Sequence, residues 1–97
     1  MKKFLLAACF AAGLFGAAHA DDDQRYYERH RSQFISYEKA AAIVARAVKG
    51  GVVLELEFDH DRRGDHFDAE VRAANGRKYE IKIDARSGKI LSKRLDD

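Results

Sequence analysis

Cysteine occurs once in the 97 residues, at position 9, so no intramolecular disulfide framework can form. Long apolar runs are also missing. The uncharged stretch from Phe4 to Ala18 falls short of the about 20 residues that a membrane-spanning helix needs. Charge of one sign is scarce once the N-terminus is set aside. Of 18 lysines and arginines, Lys2 and Lys3 stand in the N-terminal segment, and the remainder equal the 16 acidic side chains. A balanced domain lacks the basic patch of a nucleic-acid binder. No nucleophile, base and orienting group are spaced as a catalytic set.

What is present begins with an export signal. "MKKFLLAACFAAGLFGAAHA" has a basic pair, an apolar middle and a small-x-small end, Ala18-His19-Ala20, followed by "DDD"; that order predicts a signal peptide over residues 1–20. "LAAC", Leu6 to Cys9, resembles a lipobox. Too little apolar sequence precedes it, however, so simple export is preferred to lipidation of Cys9. Removal of the signal takes away the only thiol, which suits an oxidising compartment, and leaves no stable membrane anchor. The expected location is the periplasm or the exterior. One small domain of this size buries only about 60% of its unfolded surface, with little room for an internal cleft.

Residues 21–34 are polar and of mixed charge, and are expected to form a flexible charged leader in which Tyr26 and Tyr27 are solvated. The segment "ISYEKAAAIVARAVKGG" then reads as a helix. Ser36 is a suitable N-cap, and Glu38 and Lys49 complement the helix dipole. Tyr37, Ala40, Ala41, Val44, Ala47 and Val48 form one apolar stripe, and Gly50 and Gly51 can end the helix in the left-handed conformation.

After the helix the period becomes two. Val52, Leu54, Leu56 and Phe58 alternate with Val53, Glu55 and Glu57. Phe67, Ala69, Val71 and Ala73 alternate with His66, Asp68, Glu70 and Arg72. Tyr79, Ile81, Ile83 and Ala85 alternate with Lys78, Glu80, Lys82 and Asp84. Three such segments predict an antiparallel meander with one covered and one wet face, and "KILSKRL" adds a fourth strand at an edge after the turn "ARSG". The fold class is therefore α+β, one amphipathic helix on a three- to four-stranded antiparallel sheet. Core parity favours a three-residue loop at Ala74 to Gly76, pairing Val71 with Tyr79, over a two-residue Asn-Gly turn.

The densest chemistry lies in "FDHDRRGDHFD", Phe58 to Asp68. His60, Asp61, Asp65 and His66 are candidate metal ligands. The same parity pairs Phe58 with Phe67, leaves "DRRG" as the loop, and sends His60 inward and His66 outward. Zinc needs its ligands gathered at about 2 Å from one point, so no metal or cofactor is expected from these four. The acidic spacing also differs from that of an EF-hand. Carboxylates on a wet face have nothing to raise their pKa for acid–base work. Glu55, Glu57, Asp68 and Glu70 share the outward face and form a candidate partner-binding patch. The exposed edge strand offers a second, through strand addition.

"ISYEKAAAIVARAVKGG", "VVLELEF" and "NGRKYEIKIDARSGKIL", in that order, resemble a PepSY domain over residues 35–97, most specifically in "YEIKIDARSGKIL". The resemblance implies a helix on a small antiparallel sheet in an exported or membrane-linked protein. It also implies occurrence in metallopeptidase propeptides, and it brings no catalytic motif. Two readings follow. In the first, the chain is an exported, non-enzymatic module that binds a protein, such as a protease it restrains or an envelope sensor. In the second, it is a periplasmic sensor or cation-binding protein using the His/Asp hairpin and the acidic face.

Overall fold

A computed structural model describes residues 21–96; the expected signal peptide and Cys9 lie outside them. The elements are α1 (Asp21–Arg29), a 3-10 turn (Arg31–Gln33), α2 (Tyr37–Ala47), β1 (Val52–Asp61), β2 (Gly64–Arg72), β3 (Lys78–Asp84) and β4 (Ile90–Leu95). The strands form one antiparallel sheet in the order β1-β2-β3-β4, with the helices on one face. This is the α+β meander that the alternation predicts.

The Ser36 side chain accepts the Lys39 backbone N–H at 3.0 Å, which opens α2 as expected. Ala40, Val44 and Val48 are buried against Phe58, Phe67, Val71, Ile81 and Ile83, with α2 packed chiefly across β1, β2 and β3. The helix ends differently from the expectation. Lys49 (φ 56°) and Gly50 (φ 79°) take the left-handed conformation, and Gly51 does not. Gly51 is there for space: a Cβ would overlap Val48 Cγ2 and Val71 Cγ1.

That close approach bears on β1. Between Val53 and Glu55 the register with β2 shifts, leaving Leu54 as an extra residue. Such a bulge rotates the residues before it to the opposite face. Val53, rather than Val52 or Leu54, therefore stands opposite Val71 and packs on the core. Val52 and Leu54, expected inside, are 60% and 42% exposed. Beyond the bulge the alternation holds: Leu56 pairs with Ala69 and Phe58 with Phe67. The ladder runs on to Asp61 opposite Gly64, so the "DRRG" loop contracts to a turn at Arg62-Arg63.

The β2–β3 connection follows the parity argument. Val71 pairs with Tyr79, Ala69 with Ile81 and Phe67 with Ile83. Ala73 N–H donates to Arg77 O at 2.8 Å, which closes the three-residue loop with Gly76 at φ 88°. Between β3 and β4, Asp84 Oδ2 accepts from Ser87 N (2.7 Å), Arg86 N (3.0 Å) and Ser87 Oγ (3.0 Å), and Gly88 turns with φ 79°. These donors, the Ser87 amide first, hold the Asp84 carboxyl below its ordinary value. β4 is exposed throughout and carries its own bulge at Leu91.

The segment expected to be a loose leader is the main correction. It folds as α1, and Tyr27 is buried to 5% exposure. Tyr27 packs on Phe34, Phe58, Tyr37 and Phe67 with ring centroids 5.1–6.0 Å apart, and its hydroxyl donates to Ile35 O at 2.9 Å. Tyr37 Oη donates to Gln24 Oε1 at 2.7 Å, tying α1 to α2. Burying one such aromatic contributes about 2–3 kcal/mol, which adds to the Tyr37–Gln24 hydrogen bond in holding a nine-residue helix too short to stand alone.

Candidate functional site

The hairpin β1–β2 carries two titratable clusters, one on each face of the sheet. Alternation separates them: His60 and Asp65 share the parity of Phe58 and Phe67, whereas Asp59, His66 and Asp68 point the other way.

On the helix side, Asp65 is buried. Its Oδ1 pairs with His60 Nδ1, and its Oδ2 accepts from Arg86 Nη1 at 3.1 Å. A buried carboxylate needs such partners to offset its desolvation. His60 also stacks on Tyr26 of α1 at 3.8 Å between centroids, and Arg86 lies over the Phe34 ring at 5.0 Å. These five side chains join the leader helix and the segment after it to the hairpin and the β3–β4 turn. This cluster is mechanical: it fastens α1 to the sheet.

On the open side, Asp59 stands directly across from His66, and Asp68 follows two residues along β2. His66 Nε2 lies 3.6 Å from Asp59 Oδ2 and 3.4 Å from Asp68 Oδ2. Its side chain is only 7% exposed despite the outward direction. One ligating atom from each of the three residues lies within 4.8 Å of the other two. The Asp59 carboxyl is pushed up to about 6, first by its hydrogen bond with Asp68, then by burial and by repulsion from Asp68, with His66 opposing. Asp23 of α1 adjoins Asp59, and burial raises its carboxyl as well.

Of the four metal candidates read from the sequence, the structure brings together His60 with Asp65 on one face and sends His66 to the other. Asp61 turns back to its own loop, accepting Arg63 N–H at 2.9 Å, which lowers its pKa. The four do not converge. The grouping that forms around His66 instead uses Asp59 and Asp68. The parity of the hairpin already implied it, because pairing Phe58 with Phe67 places Asp59 against His66.

The acidic patch assembles on the open face, with Glu55 opposite Glu70 and Glu57 opposite Asp68. It is not purely acidic. Lys78 Nζ reaches Glu70 at 3.2 Å, Lys82 Nζ reaches Asp68 at 3.9 Å, and Arg94 pairs with Glu80. The result is a shallow groove whose floor is a band of carboxylates bordered by cations of β3 and β4. The serine hydroxyls that the structure engages have structural work: Ser36 caps α2 and Ser87 closes the β3–β4 turn.

A helix-roofed meander with one open, charged face and a free edge defines a small α+β module rather than an enclosed pocket. The family described as the peptidase propeptide and YPEB domain, PepSY, matches residues 34–94, and the chain belongs to that family. No curated protein and no solved structure matches it. Among the described residues, no helix is long and apolar enough to cross a membrane.

Proposed function

We propose that this chain is an exported, non-enzymatic binding module of the cell envelope, and that it engages a protein partner, a protease first among the candidates, through the open face of its sheet. The observation that carries this reading is the one-sided cover. Both helices pack on a single face, which leaves Glu55, Glu57, Asp68 and Glu70 in a groove flanked by Lys82 and Arg94. Like charges set opposite one another cost stability, and a partner presenting basic side chains offsets that cost. The family's association with peptidase propeptides makes a protease the first partner to test. β4, exposed and regularly paired from Ser92 to Leu95 past its bulge, supplies a second contact by addition of a short strand.

The test pairs capture with an activity readout. Purified protein is immobilised, exposed to periplasmic extract, and assayed for its effect on hydrolysis of an unfolded protein substrate. The expected result is a retained partner and slowed proteolysis, both lost in the Glu55→Lys/Glu70→Lys variant. No retention together with unchanged proteolysis overturns the reading.

A further inference from the structure

The geometry points to a binding site for a first-row divalent transition ion of the zinc class, formed by Asp59, His66 and Asp68 on the open face of the β1–β2 hairpin. It shares Asp68 with the partner-binding groove and keeps only His66 of the four hairpin candidates named in the sequence.

Three observations carry it. The first is the state of His66. An imidazole on the wet face of a sheet would ordinarily be solvated, yet this side chain is 7% exposed, and its Nε2 is aimed between two carboxylates. The charge-assisted hydrogen bond expected of such a pair is about 2.7–2.9 Å long. The observed separations of 3.4 and 3.6 Å exceed it, so the nitrogen faces both carboxylates without a tight bond to either.

The second observation is that those separations suit a shared ion. Zinc binds imidazole nitrogen and carboxylate oxygen at about 2.0–2.2 Å in a tetrahedron, which sets ligand atoms roughly 3.3–3.6 Å apart. His66 Nε2 already stands at that spacing from both aspartate oxygens, and the three atoms fall within 4.8 Å of one another.

The third is the rigidity of the donors. All three residues sit in strand interiors, on β1 and β2, held by the ladder pairs Asp59–His66 and Glu57–Asp68. A site built on paired strands loses less freedom on binding than one built on a loop. Lys82 Nζ, 3.9 Å from Asp68 Oδ1, is the nearest competing cation and touches the oxygen that is not aimed at His66. One nitrogen and two oxygens select a borderline ion over calcium, which takes six to eight oxygens. Three protein ligands leave a position for water or for a partner's side chain.

The experiment is zinc chloride titration of the purified protein by calorimetry, with wild type, His66→Gln, Asp68→Asn and His60→Gln compared and their folding checked by circular dichroism. One zinc per chain is expected at this site, weakened about tenfold or more in His66→Gln and Asp68→Asn and unchanged in His60→Gln, with calcium chloride silent. Because the buried ring could be needed for folding, the wild-type imidazole resonances are followed by nuclear magnetic resonance in parallel. His66 signals should shift with zinc ahead of those of His30 and His60. Zinc binding that is absent in wild type, that survives intact in folded His66→Gln, or that moves His60 first would overturn the site. The capture experiment above is done without added metal, so failure of one leaves the other standing.

Discussion

Replacing Asp84 tests how the β3–β4 turn is held. One carboxylate oxygen accepts two backbone amides and a hydroxyl at 2.7–3.0 Å, an arrangement comparable to a helix N-cap, whose loss costs about 0.5–2 kcal/mol. Hydrogen bonds to a charged acceptor lie at the upper end of the usual range. These donors are exposed enough for water to replace part of the loss, so Asp84→Ala should destabilise by about 1–2 kcal/mol. For a domain this small each kcal/mol lowers the melting temperature by roughly 4–8 °C. Asp84→Asn keeps an acceptor oxygen but not the charge, and should fall between the two.

The pH dependence sharpens the test. The folded pKa of Asp84 is held below its ordinary 3.8, so the unfolded chain takes up a proton first as pH drops. The stabilisation is therefore present above the unfolded value and disappears as pH falls through the folded one. Melting followed by far-ultraviolet circular dichroism between about pH 7 and 2 should show the gap between wild type and Asp84→Asn narrowing on the acid side. Equal melting temperatures at neutral pH for wild type and Asp84→Ala, or a gap that does not close in acid, would refute the reasoning.

Gly51→Ala forces a methyl into Val48 and Val71 and should cost about 1–3 kcal/mol by overpacking. Gly50→Ala has open space but a φ of 79°, and should cost about 1 kcal/mol; chemical denaturation of the pair separates crowding from backbone strain. Tyr27→Ala removes the aromatic anchor of α1 and should destabilise by about 3 kcal/mol. Hydrogen exchange of residues 22–33 should rise to that of an unfolded segment while β2 and β3 stay protected.

Much of the fold was legible because charged and apolar residues alternate cleanly along β2 and β3. Parity alone then selected the three-residue loop at Gly76 and the pairing of Phe58 with Phe67. Two departures had causes the pattern does not carry. The bulge at Leu54 lies next to the close approach of Gly51 to Val71 of β2, a tertiary contact. In α1, two tyrosines among seven charged or amide residues give too little apolar periodicity to announce a helix, and its order comes from the ring cluster on which Tyr27 lands. The Asp59–His66–Asp68 grouping was within reach of the register, because pairing Phe58 with Phe67 sets Asp59 across from His66, whereas closeness in sequence at the hairpin tip does not bring His60 and His66 to one face.

The bulges at Leu54 and Leu91 fall on the two outermost strands. A flat, uninterrupted rim invites copies of the same chain to stack by continuing the ladder, and an extra residue in the rim twists it out of that plane. Lys93 and Arg94 beside the second bulge add mutual repulsion between copies. A module with nearly cancelling charges, which has little long-range repulsion to keep it dispersed, thus carries its protection against fibre growth in the irregularity of its borders.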